Sequence, residues 1–85
     1  MTQIEELKTE LQTTVARLAT NQQVSLEFVL IEYLEDWAEY NIVLRKGDRQ
    51  YVIELPIRQV IQAKCIGALQ GFLRRHVEIA WLFLR

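Results

Sequence analysis

The sequence predicts an α+β fold: an N-terminal helix, a three-stranded antiparallel meander, a second helix and a C-terminal strand, in one domain covering residues 1–85. Three observations carry this expectation. Ile4, Leu7, Leu11, Val15 and Leu18 recur at helical spacing in a segment otherwise made of Glu, Lys, Gln and Thr. Residues 39–55 alternate apolar and polar on both sides of Gly47-Asp48, as the two arms of a hairpin do. After Pro56 the apolar residues return to a helical period.

In the N-terminal helix, Thr2 followed by Glu5 reads as a capping box, and Glu5 and Glu6 suit the positive end of the helix dipole. Asn21 is the expected left-handed stop. The seam is narrow, which suits packing on a sheet or against another helix.

Residues 25–40 admit two readings. As a helix, Glu32, Glu35, Asp36 and Glu39 make an acidic stripe opposite Leu26, Leu30, Tyr33 and Trp37, with Val24 stapled to Val29 across Ser25, and the element order becomes α-α-β-β-α-β. As a strand, Leu26, Phe28 and Leu30 face the core and the chain turns at Glu35 to Ala38. The strand is favoured. A helix ending near Tyr40 sets three acids by the negative end of its dipole and leaves almost no loop before the next strand.

The hairpin is specified more tightly. A Gly47-Asp48 turn, glycine first, implies type II′ and pairs Lys46 with Arg49, Leu44 with Tyr51, Ile42 with Ile53 and Tyr40 with Leu55. Every core-facing apolar residue then meets another. Pro56 suits the first turn of a helix running to about Arg75, with Ile57, Ile61, Cys65, Ala68 and Phe72 on one face. On its flank Ala63, Gly67 and Gly71 recur every four residues, an expectation of close helix packing. The closing HVEIAWLFLR alternates Val77, Ile79, Trp81 and Phe83 with Glu78, Ala80, Leu82 and Leu84, which suits a strand covered on both faces; continuation of the helix competes with it.

Composition narrows the function. A chain of 85 residues is 51% hydrophobic, yet a domain of this size buries only roughly 60–65% of its unfolded surface. Some apolar surface should stay outside a monomeric core, so a second copy or a larger protein is expected to cover it. Charge is segregated. Residues 1–40 hold eight acids against Lys8 and Arg17, and residues 41–85 hold eight bases against Asp48, Glu54 and Glu78. Cys65 is the only cysteine, the N-terminal MTQIEELKTE lacks a signal-peptide pattern, and no apolar run approaches a membrane span, so a cytoplasmic, non-membrane chain is expected.

Chemistry has little to work with. Ser25, His76 and Cys65 each stand alone of their kind, nothing near Ser25 resembles a nucleophile elbow, and no glycine-rich phosphate loop is present. Neither an enzyme, a cofactor nor a metal is expected; Glu32, Glu35, Asp36 and Glu39 read better as a solvated acidic edge than as a cation site. The order helix, three strands, helix invites comparison with double-stranded-RNA-binding domains. Those open their second helix with clustered lysines, and this chain has only Arg58 and Lys64 there.

The expected function is protein–protein interaction, as an adaptor, assembly chaperone or regulator. Its docking surface would be the sheet face opposite the helices, carrying Val29, Ile31, Val43 and Val52, with Trp37 and Trp81 as aromatic anchors. The alternative is an anion- or nucleic-acid-binding module that uses Lys46, Arg49, Arg74 and Arg75.

Overall fold

A computed structural model describes residues 3–21 and 24–85, in the order α1 (Gln3–Ala19), β1 (Glu27–Leu34), β2 (Glu39–Lys46), β3 (Arg49–Pro56), α2 (Ile57–Cys65) and α3 (Leu69–Leu84). The strands form one antiparallel sheet in the order β1-β2-β3. All three helices lie on one of its faces, and the shortest dimension, 19 Å, is that of two layers.

The helices cover the sheet through the seams their sequences carry. Leu7, Leu11, Val15 and Leu18 of α1 are buried, and α1 packs over β1 and along one flank of α3. Tyr40 of β2 is fully buried and its hydroxyl donates to the Ile4 carbonyl at 2.7 Å, tying the first turn of α1 to the middle strand. The capping box at Thr2 lies outside the described residues. Asn21 does not adopt the left-handed conformation expected of it. Its Oδ1 accepts the Val24 N–H at 2.8 Å, and the Leu26 N–H donates to the Ala19 carbonyl.

The strand reading of residues 27–34 holds, with the turn at Glu35 to Ala38, but its facing changes midway. Phe28 pairs with Leu44 and Leu30 with Val43, so Val29 is an extra residue, a β-bulge. Beyond it the alternation inverts. Ile31 (8% exposed) and Tyr33 turn to the core, and Leu30 (43% exposed) turns away from it. Leu30 is therefore not a core residue, and Ile31 is not on the outer face.

The hairpin register is the expected one, from Lys46–Arg49 to Tyr40–Leu55. Gly47 has φ +66° while Asp48 keeps a negative φ, in keeping with a type II′ turn.

Two corrections fall after Pro56. The helix does not run through to Arg75. Gly67, at φ +72°, stops α2, with Ala68 N–H bonded to the Ala63 carbonyl and Gly67 N–H to the Lys64 carbonyl, a Schellman arrangement. Nor is there a C-terminal strand; residues 69–84 form α3. Leu69, Leu73, Val77, Ala80 and Leu84 make one buried seam that runs unbroken through the Arg74-Arg75-His76 segment, and a helix buries all five. Together with Val60 and Ala63 of α2 and the inner face of the sheet they form one hydrophobic cluster, and no polar or charged residue among those described is buried in it.

Candidate functional site: the uncovered sheet face and its rims

Among the described residues no helix covers the second face of the sheet. Because the side chains of a strand alternate, that face takes every second residue of β2 and β3 and, past the bulge, Leu30 and Glu32 of β1. Register aligns them into rows. Leu30, Val43 and Val52 stand side by side, one from each strand, as an apolar row across the whole sheet. Val52 is 46% exposed and Val43 is shielded in part by its two neighbours. On one side lies the row Glu32, Asn41, Glu54; on the other lie Arg45 and Gln50, with Arg45 ion-paired to Glu27. Asn41 Oδ1, in register between Glu32 and Glu54, is buried and has no hydrogen-bond partner among the described residues.

Trp37 sits at the end of the sheet, on the β1–β2 turn, 75% exposed. The turn itself is well anchored. Trp37 N–H donates to the Leu34 carbonyl, Ala38 takes φ +50° and its N–H donates to the Glu35 carbonyl, and the Ala38 carbonyl accepts the Ile57 N–H at the start of α2. A large aromatic is thus presented on fixed backbone.

Of the residues expected on the docking face, Val43 and Val52 lie on it, Val29 is the bulge and half-buried, and Ile31 is inside the core. Trp81 is on the helical layer, half-buried, with Arg85 over its ring at 4.9 Å and Lys46 at 5.8 Å. Leu30 belongs on the face and was hidden by the bulge. Exposed apolar residues of α3, Ile79, Leu82 and Phe83, also escaped the alternation argument, since a strand there would have covered them; Ile66, at the end of α2, is exposed as well.

The expected close helix packing has a different basis. Ala63 is buried, but among the described residues no atom from elsewhere lies within 4 Å of a Cβ placed at Gly67 or Gly71. Gly67 is required by its positive φ, not by a close neighbour. Cys65, expected on the buried stripe, is exposed as a free thiol because α2 buries Val60 and Ala63 instead.

The basic residues of the alternative reading are distributed over three places. Lys46 and Arg49 flank the hairpin turn at the C-terminal end of α3, where Arg49 Nη2 donates to the Phe83 carbonyl at 2.8 Å and Lys46 lies over Trp81. Arg74 lines a cleft of about 620 Å³ between α3 and the end of α1, with Leu18, Val24 and Trp81. Arg75, next in sequence and so about 100° round the helix, lines a shallow hollow beside Gly67 and Gly71. The helix thus separates the neighbouring pair Arg74 and Arg75, and a cation at a helix C-terminus has its own favourable partner in the carbonyls there.

Two ionisable side chains, Tyr40 buried and His76 half-buried, are displaced from their ordinary behaviour, and on the surface Lys64 is held above its usual value by its hydrogen bond to Glu10. Burial, with Tyr33 beside it, pushes the Tyr40 hydroxyl up from 10.0 to about 12. Burial, followed by the nearby Arg75 charge, holds His76 below the usual imidazole value, and its ring meets Phe72 edge-on at 4.9 Å. Among the described residues no group of three or more His, Cys, Asp or Glu side chains is placed to hold a metal, and no helix is long and apolar enough to cross a membrane.

Comparison of the chain with known protein families, curated proteins and solved structures found no match.

Proposed function

We propose that this chain is a non-enzymatic protein–protein interaction domain, serving as an adaptor, assembly chaperone or regulator, and that it docks its partner on the uncovered sheet face. One observation carries the reading. Leu30, Val43 and Val52 line up in register across three strands on a face that bears no helix. A row of three such residues contributes only about 1–3 kcal/mol when covered. Trp37 adds the larger share: a tryptophan buries about 150–250 Å², which at 75% exposure leaves enough area for about 3–5 kcal/mol. The neighbouring Glu32, Asn41 and Glu54 favour a partner that sets a lysine or arginine beside an apolar ridge.

The test compares wild type with Val43→Glu and Trp37→Ala, both on exposed or half-exposed positions. Proteins retained by the immobilised wild type and an apolar-surface dye should both be lost on Val43→Glu and weakened on Trp37→Ala. If the retained set and the dye signal are the same for all three proteins, the sheet face is not the docking surface.

A further inference from the structure

The two edges of the sheet differ. β1 carries a bulge at Val29, a common device that spoils an edge for pairing. β3 is eight residues long, regular throughout, and ends at Pro56. In a hairpin with a two-residue turn, the residues flanking the turn exchange both hydrogen bonds, and hydrogen-bonded pairs recur at every second position. From Lys46–Arg49 it follows that Tyr51, Ile53 and Leu55 bond to β2, whereas Gln50, Val52 and Glu54 direct their N–H and C=O groups outward. Among the described residues none pairs with them.

We infer that this edge pairs with the same edge of a second copy, antiparallel about Val52. The inference rests on reading the chain as an interaction domain, and it names one partner: the chain itself.

The sequence of β3 selects the register. With Val52 opposite Val52, Gln50 meets Glu54 of the second copy on both sides of the two-fold axis, and all three outward residues pair. Sliding by two residues in one direction sets Glu54 against Asp48 of the turn. Sliding the other way sets Gln50 against Pro56, which has no N–H to give. In the Val52-centred register no like charges stand opposite one another. Glu54 also faces the partner's Gln50, whose neighbour across β2 is the cation Arg45.

Strand pairing alone buries too little for a stable dimer, which takes about 800 Å² from each partner. α3 supplies the rest from the layer above. Trp81 is turned toward α1, where it lines the cleft with Leu18 and Val24. Ile79 and Phe83 each lie two residues from Trp81, about 200° round the helix, and so face the other way, outward past β3. Phe83, 62% exposed, stacks on Tyr51 of β3 at 5.3 Å, and Arg49 of β3 holds its carbonyl. Pairing two β3 strands therefore brings Ile79, Phe83 and Tyr51 of both copies to the same seam. On the outer face it joins two Leu30–Val43–Val52 rows into one continuous apolar band, doubling the docking surface.

Sedimentation velocity across a concentration series tests this. The wild type should sediment as a dimer that dissociates on dilution. Gln50→Glu should weaken it about tenfold, through two symmetric Glu–Glu pairs, and Gln50→Lys should tighten it, more so at low salt. Val52→Pro, which removes one outward N–H from each copy, should yield a monomer with wild-type circular dichroism. A wild type that stays monomeric to near-millimolar concentration overturns the inference, as does a dimer indifferent to both Gln50 substitutions. Leu30→Glu keeps this apart from the docking reading, because Leu30 lies two strands from the seam. A monomeric wild type whose retained proteins are lost on Leu30→Glu leaves the docking face standing without the dimer. A dimer from which Leu30→Glu removes no retained protein leaves the dimer without the docking face.

Discussion

The bulge at Val29 exchanges the roles of two adjacent side chains, and truncating each in turn measures the exchange. Ile31 is 8% exposed and belongs to the core cluster, whereas Leu30 is 43% exposed on the bare face. Ile31→Ala removes buried carbon from a packed site, where such truncations cost about 2–5 kcal/mol, and about 3 kcal/mol is expected here. Leu30→Ala removes carbon already half in water and should cost about 1 kcal/mol or less. In urea, with a slope of about 1 kcal/mol per molar for a chain of this size, the midpoint should fall by ~3 M for Ile31→Ala and by ~1 M or less for Leu30→Ala. Unfolding followed by circular dichroism, with an unchanged slope as the check that both variants unfold from the same native state, reads the difference. Without the bulge, Leu30 faces the core and Ile31 the solvent, so a larger loss at Leu30 than at Ile31 would refute the facing and, with it, the apolar row.

Other expected outcomes follow from single contacts. Gly67→Ala forces a Cβ into φ +72° and should destabilise by about 1 kcal/mol, while Gly71→Ala, in the first turn of α3 with open space around it, should stabilise by about 0.5 kcal/mol; thermal melts giving both changes the same sign would contradict the Schellman stop. Tyr40 keeps its proton to about pH 12 when folded but loses it near 10.0 when unfolded. The unfolded state thus holds fewer protons in that window, and stability should fall as pH rises through it. Tyr40→Phe should remove this alkaline loss, and an unaltered pH profile in that variant would assign the effect elsewhere. His76 titrates lower in the fold than in the unfolded chain, so protons favour unfolding, and the stability it contributes above the unfolded value of 6.5 should be lost as pH falls below it. His76→Leu should flatten that acid slope in a pH series of urea midpoints.

The sheet was more legible than the helices, for reasons visible in particular residues. In the hairpin, Tyr40, Ile42 and Leu44 have Leu55, Ile53 and Tyr51 opposite them and polar or β-branched residues between, so only one register satisfies both arms and the Gly47 turn. In β1 the run Phe28-Val29-Leu30-Ile31 has no polar residue to mark phase, so an inserted residue leaves no trace in the pattern. The C-terminal segment failed similarly. With Trp81, Leu82, Phe83 and Leu84 in succession, a period of two and a period of 3.6 fit equally well; the signal that decided it was the Leu69–Leu73–Val77–Ala80–Leu84 seam, visible only when the segment is read together with what precedes it. Gly67 shows the same hazard. Its spacing from Ala63 and Gly71 imitates a packing stripe, while its actual role, a left-handed stop, depends on one backbone angle that periodicity does not encode.

Of the residues expected at a docking surface, Val43 and Val52 lie on the bare face and Trp37 is exposed on the β1–β2 turn, as alternation and the turn signal place them. Leu30, Ile79 and Phe83 were missed because each depends on an element whose phase or type the pattern misstates.

Residue-resolved amide exchange across a concentration series asks most directly whether the open β3 edge is an interface between copies of this chain. Tyr51 and Ile53 should be protected at every concentration, since they bond to β2. The N–H groups of Gln50, Val52 and Glu54 should exchange freely when dilute and gain protection together as concentration rises. Free exchange of all three at the highest concentration would contradict the self-pairing of β3.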